Sequence, residues 1–95
     1  PYVVTPGNHD LGAHGSAEDR RTRMNTYFPL SAQALRPSFG GAFEPDRIEN
    51  TFHVLDTPAG PFLVIALEFG PRAAVLAWAR GVVDAHPGIP TMVVT

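Results

Sequence analysis

Residues 62–67, Phe-Leu-Val-Ile-Ala-Leu, are apolar at every position. A strand buried on one face alternates polar with apolar, whereas one that is apolar throughout must be covered on both faces. This run is therefore predicted to be a central strand with material packed above and below it. Residues 51–55 read as a strand just before it. Between the two, Thr57-Pro58-Ala59-Gly60-Pro61 is rich in turn residues, so the pair is expected to form a hairpin. Residues 2–5 and 91–94 are two more apolar runs and read as strands, the first stopped by Pro6-Gly7.

Helical patterns fill the gaps. Gly70-Pro71 opens the clearer helix, with Pro71 expected at its first position. Val75, Leu76, Ala79, Val82 and Val83 repeat with helical period, and Trp78 flanks that stripe as core packing. His86-Pro87-Gly88 ends the helix, and an imidazolium there suits the negative end of the macrodipole. A shorter helix is predicted over residues 17–27, capped by Ser16 with Asp19 completing a capping box. Met24, Tyr27 and Phe28 would be its buried face. Residues 29–49 read as a long connection. The order strand, helix, loop, strand, strand, helix, strand implies a layered α/β fold.

Composition narrows the class. The chain has 95 residues, 44% apolar and 17% charged, which fits one small globular domain or part of a larger one. Seven cations, all arginine, oppose nine carboxylates; a net charge of −2 argues against nucleic-acid binding by bulk charge. The absence of cysteine removes disulfides and thiolate metal sites. No apolar run approaches the roughly 20 residues of a membrane span. The first residue is Pro, and residues 91–95 stop without a turn signal. Residues 1–95 are accordingly expected to be an internal segment of one larger domain, with residues 11–49 as a variable insertion.

The chemistry concentrates in Gly7-Asn8-His9-Asp10, directly after the first apolar run. Asn8 offers a neutral amide oxygen that suits a cation already surrounded by carboxylates. His9 can ligate a metal, give a proton, or stabilise oxyanion charge. Asp10 can fix the imidazole tautomer, and Gly7 allows close backbone approach. By chance such a tetrapeptide arises in roughly one chain of this length in a few thousand.

Thr5-Pro6-Gly7-Asn8-His9-Asp10 after an apolar strand resembles the third signature block of the calcineurin-like metallophosphoesterases. The strand Phe62-Leu63-Val64-Ile65-Ala66-Leu67-Glu68 and the helix leading to Thr91-Met92-Val93-Val94-Thr95 are similar to later parts of that family. The resemblance implies an α/β/β/α sandwich and hydrolysis of a phosphomonoester or phosphodiester substrate. It implies two divalent metal ions (Mn, Fe, Zn or Mg), about 4 Å apart, that generate hydroxide and polarise the phosphoryl oxygens. Asn8 would be a ligand to one ion, His9 would stand beside the phosphate, and Asp10 would orient His9. The family's Asp-x-His and Gly-Asp-x-x-Asp blocks are absent from this sequence, and its next histidine would follow Thr95. The 95-residue chain alone is therefore expected neither to hold a metal pair nor to hydrolyse phosphoesters.

Other residues have plainer readings beside functional ones. His14, Arg20 and Arg23 follow the motif and are candidate substrate contacts, against solvated loop and helix-face roles. His53 lies opposite Phe52 and Val54 on its strand and is expected to point outward. Glu68, at a strand end, could brace the site or cap a turn. Two rival classes are a phosphoesterase fold that has lost catalysis and serves as a scaffold, and an unrelated α/β interaction domain with a chance polar turn.

Overall fold

In a computed structural model, which describes residues 2–13, 15 and 17–95, the chain is a small α/β domain built on one four-stranded mixed sheet. Short helices α1 (Met24–Tyr27) and α2 (Leu30–Gln33) precede β1 (Phe39–Ala42), β2 (Thr51–Thr57) and β3 (Gly60–Ala66). The longer α3 (Ala73–Asp84) then leads to β4 (Thr91–Val94). Strand order is β1-β2-β3-β4; the first two pairings are antiparallel and the last is parallel. The parallel pair requires a crossover, and α3 is that crossover. Among the described residues no helix is long and apolar enough to cross a membrane.

The predicted hairpin is present. Its ladder runs from Thr51↔Ala66 to Thr57↔Gly60, and the Thr57 hydroxyl donates to the Gly60 carbonyl at 2.7 Å to close the turn. As expected of a wholly apolar run, β3 is internal and buried on both faces. Leu63 and Ile65 point to one face, where Val75, Ala79 and Val82 of α3 meet them. Phe43, Phe52, Val54, Trp78 and Ile89 pack around this core. Val64 and Ala66 belong to the other face, beside Thr51 and His53 of β2, and all four are buried. Gly40 and Gly41 let β1 pass under the Phe52 ring, since a Cβ on Gly40 would fall 2.1 Å from a ring carbon. This is an aromatic ring covering glycine across a strand pair.

Tertiary contacts overrule several local patterns. Residues 2–5 form no regular element and join no sheet among the described residues; β2 and β4 already occupy both edges of β3. The helix expected over residues 17–27 shrinks to the single turn α1. Leu11 pairs with Thr22 in an antiparallel bridge, Ala17 has a left-handed φ of +57°, and the Asp19 carboxylate accepts from the Arg21 amide. Each of these requires non-helical backbone; Ser16 lies outside the described residues. Of the expected buried face, Tyr27 is 77% exposed and Met24 and Phe28 are only half-buried. Residues 29–49 contain α2 and β1 instead of a bare connection. Pro71 precedes α3 and Arg72 is the N-cap. The stripe narrows to Val75, Ala79 and Val82, leaving Leu76 and Val83 exposed at its flank. His86 sits as expected, its Nδ1 2.7 Å from the Val82 carbonyl at the end of α3.

His53 corrects another expectation. It does lie opposite Phe52 and Val54, but that face is covered, and His53 is buried. Phe39 of β1 packs edge-on against its ring at 5.7 Å. Its Nε2 lies 3.2 Å from the Thr51 hydroxyl, and Nδ1 has no hydrogen-bond partner among the described residues. Burial, and secondarily the positive charge of Arg36, hold its pKa below the ordinary 6.5. The unfolded chain therefore takes up this proton more readily than the folded one. The stability contributed by neutral His53 is complete above 6.5 and lost as pH falls from there through the folded pKa. Urea midpoints measured between neutral pH and mildly acidic pH are expected to fall. The drop should be smaller in His53→Gln, and an equal drop in both would remove His53 as its source.

Candidate functional site

The Gly7-Asn8-His9-Asp10 turn is displayed between two buried anchors, Pro6 and Leu11. Residues 8–10 form one turn of 3₁₀-helix. The Asp10 amide donates to the Gly7 carbonyl at 3.0 Å, and the Gly7 amide donates to Asp10 Oδ2 at 2.9 Å. Asp10 thus closes the turn that presents His9. Asn8, His9 and Asp10 are all exposed. Gly15, at φ +70°, lies against the backbone of His9, and a Cβ there would come within 2.9 Å of the His9 Cα. Only glycine meets both demands, the left-handed φ and the close approach. Nothing in the local pattern of residues 11–16 signals this contact, because it depends on the loop folding back.

The segment leading into the turn is tied to the sheet. The Thr5 hydroxyl donates to the Leu67 carbonyl, just past the end of β3, at 2.9 Å. The Thr95 hydroxyl donates to the next carbonyl, that of Glu68, at 3.0 Å. The segment leading to the motif, the exit of β3 and the end of β4 therefore meet. The Glu68 side chain, fully buried, braces this junction. It accepts from Arg72 Nε at 2.8 Å, from Arg72 Nη2 at 3.0 Å and from Asn50 Nδ2 at 3.1 Å. Burial pushes its pKa up, but the hydrogen bonds from Arg72 and Asn50 outweigh that and hold it below the usual carboxylate range. Arg72 also reaches Glu44 at 2.6 Å; its hydrogen bonds to Glu68 and then Glu44 raise its own pKa further.

The loop after the motif is held by a second buried carboxylate. Glu49 Oε1 accepts from the Thr22 amide at 2.9 Å and from Asn25 Nδ2 at 2.8 Å. Asn25 Oδ1 in turn accepts from the Ile48 amide at 3.0 Å. Glu49 Oε2 has no partner among the described residues. The effect is to pin Thr22, and with it α1, alongside the Asn8–Asp10 turn. Between them lies a groove of about 310 Å³ lined in part by His9, Asp10, Thr22, Arg23, Met24 and Tyr27. A larger groove of about 540 Å³ lies elsewhere, between α2 and β1, and none of its lining residues belongs to the motif.

The candidate substrate contacts part company here. Arg23 lines the groove beside His9. Arg20 is engaged elsewhere, donating through Nη1 to the carbonyls of Phe69 at 2.7 Å and Gly70 at 3.0 Å, 3.9 Å from Glu68. It ties the loop to the exit of β3 instead of lining a solvated helix face. His14 lies outside the described residues. Asn8 suits a metal ion as a single neutral oxygen donor, and one amide does not make a coordination shell. Among the described residues no three His, Asp or Glu side chains converge on a point that could hold a metal ion. Comparison of the chain with protein-family models, with curated proteins and with solved structures finds no match.

Proposed function

We propose that this chain contributes one corner of the active site of a metal-dependent phosphoesterase, with hydrolysis of a phosphoester bond taking place beside His9. The observation that carries the reading is the joint exposure of Asn8, His9 and Asp10 on one short turn with buried residues on either side. An amide, an imidazole and a carboxylate displayed together and held in place are what a polar active-site corner requires.

Asn8 would give its amide oxygen to one ion of a divalent pair. That pair, when bound, supplies a nucleophilic hydroxide and polarises the phosphoryl group. His9 stands on the exposed side of the turn, where its imidazole can donate to a phosphoryl oxygen or protonate the leaving oxygen. Asp10 holds the turn through the Gly7 amide and so fixes where His9 is presented. The bridging carboxylate and the remaining ligands would come from sequence flanking these 95 residues. In the proposed architecture the four-stranded sheet is half of an α/β/β/α sandwich, with α3 as one outer layer.

The reading is tested with the full-length protein and two substrates, the monoester p-nitrophenyl phosphate and the diester bis(p-nitrophenyl) phosphate. Turnover should be lost on treatment with a chelator and return on addition of Mn²⁺. Turnover indifferent to chelation, or none with any divalent metal, would overturn it. The residue encoded after Thr95 gives a second check, since anything but His would weaken the assignment.

A further inference from the structure

We infer that the groove between the Asn8–Asp10 turn and α1 is a leaving-group subsite that selects phosphomonoesters of a planar aromatic group. The inference rests on the reading of His9 as the residue beside the phosphate, and it deepens that reading by naming the substrate class. His9 and Asp10 line the groove together with Arg23, Met24 and Tyr27 of the loop and α1. An imidazole and a guanidinium thus border one space, and both can donate hydrogen bonds to an anion. One oxygen of the remaining acid, Asp10, is engaged by the Gly7 amide.

Two lining residues fit an aromatic group. Tyr27 is 77% exposed and lines the groove, so its ring is available for stacking. Met24, half-buried next to it, supplies an adaptable apolar surface. The volume of about 310 Å³ lies at the lower end of the roughly 300–1,000 Å³ of small-molecule pockets. It suits a single ring with its phosphate.

The groove is also built to keep its shape. Thr22, at its base, is only 7% exposed, and its amide is held by the buried Glu49. The Thr22 hydroxyl accepts from the Met24 amide at 3.1 Å, and Asn25 is bound to the same Glu49 oxygen. The residues flanking Arg23 are therefore fixed before any ligand arrives, which lowers the ordering cost of binding.

The test is a titration of the full-length protein, stripped of metal, followed by backbone amide NMR. Phenyl phosphate should shift His9, Arg23 and Tyr27 and bind about fivefold more tightly than inorganic phosphate, as one aromatic contact allows. Tyr27→Ala should abolish that preference; the exposure of Tyr27 makes a folding defect unexpected. Arg23→Ala should weaken both ligands. Equal affinities, shifts confined to other residues, or a preference that survives Tyr27→Ala would overturn the subsite. Turnover by the full-length protein reports separately on the phosphoesterase reading. Aromatic-selective binding without hydrolysis keeps an aromatic-phosphate binding site and overturns its role as a leaving-group subsite. Metal-dependent hydrolysis with no aromatic preference in binding removes the subsite alone.

Discussion

Replacing His9 by Ala in the full-length protein is expected to lower turnover by roughly 10²–10⁴-fold, the range for loss of one acid–base or charge-stabilising group. Metal content should stay nearly unchanged. His9 is exposed, so its removal opens no cavity, and the turn is closed by Gly7 and Asp10 without the imidazole. Stability should therefore match the parent, and the loss should fall on kcat, because the interaction is made chiefly in the transition state. Asn8→Ala separates the roles by failing differently, with lower metal occupancy first and lower activity as a consequence. Elemental analysis beside steady-state kinetics reads both variants. Full activity in both would show that the roles are misassigned.

The parts of this fold legible in the sequence are those whose cause is local. The β2–β3 hairpin announces itself because its turn residues and its apolar run adjoin. Likewise α3 and β4 follow from helical period and a short apolar run. The helix expected over residues 17–27 keeps only its last turn, and one cause is distant: the carboxylate that holds Thr22 belongs to Glu49, 27 positions away. No window around Ser16 and Asp19 contains that information. His53 shows the same limit in another form. Alternation gives the face on which it lies, but its burial depends partly on Phe39, in a strand disguised by Gly40-Gly41 and a register shift. At the site, the types and order of Asn8, His9 and Asp10 were readable. The close seat of Gly15 under His9 was not, nor was the diversion of Arg20 to the carbonyls of Phe69 and Gly70.

Glu68→Ala should be the most destabilising of the substitutions considered, by about 3 kcal/mol, toward the lower part of the range for breaking a buried ion pair. Removing the carboxylate takes the acceptor from Arg72 Nε and leaves Asn50 Nδ2 with a 3.4 Å contact to Glu44. The Arg72 side chain is 36% exposed and retains Glu44, so water can recover part of the loss. The upper end of the range is therefore not expected. The acid dependence gives an independent signature. Because the folded pKa of Glu68 is held below the ordinary 4.5, its contribution is complete above that value. It is lost as pH falls through the folded pKa. A urea midpoint measured against pH should show this acid loss in the parent and less of it in Glu68→Ala. The consequence reaches the candidate site, because the carbonyls of Leu67 and Glu68 receive the hydroxyls of Thr5 and Thr95. Loosening the exit of β3 should therefore increase hydrogen exchange at Leu67 and Glu68 and around the Asn8–Asp10 turn before the sheet unfolds. Parent-like exchange at the turn, combined with a lowered urea midpoint, would show that Glu68 stabilises the domain without bracing the motif.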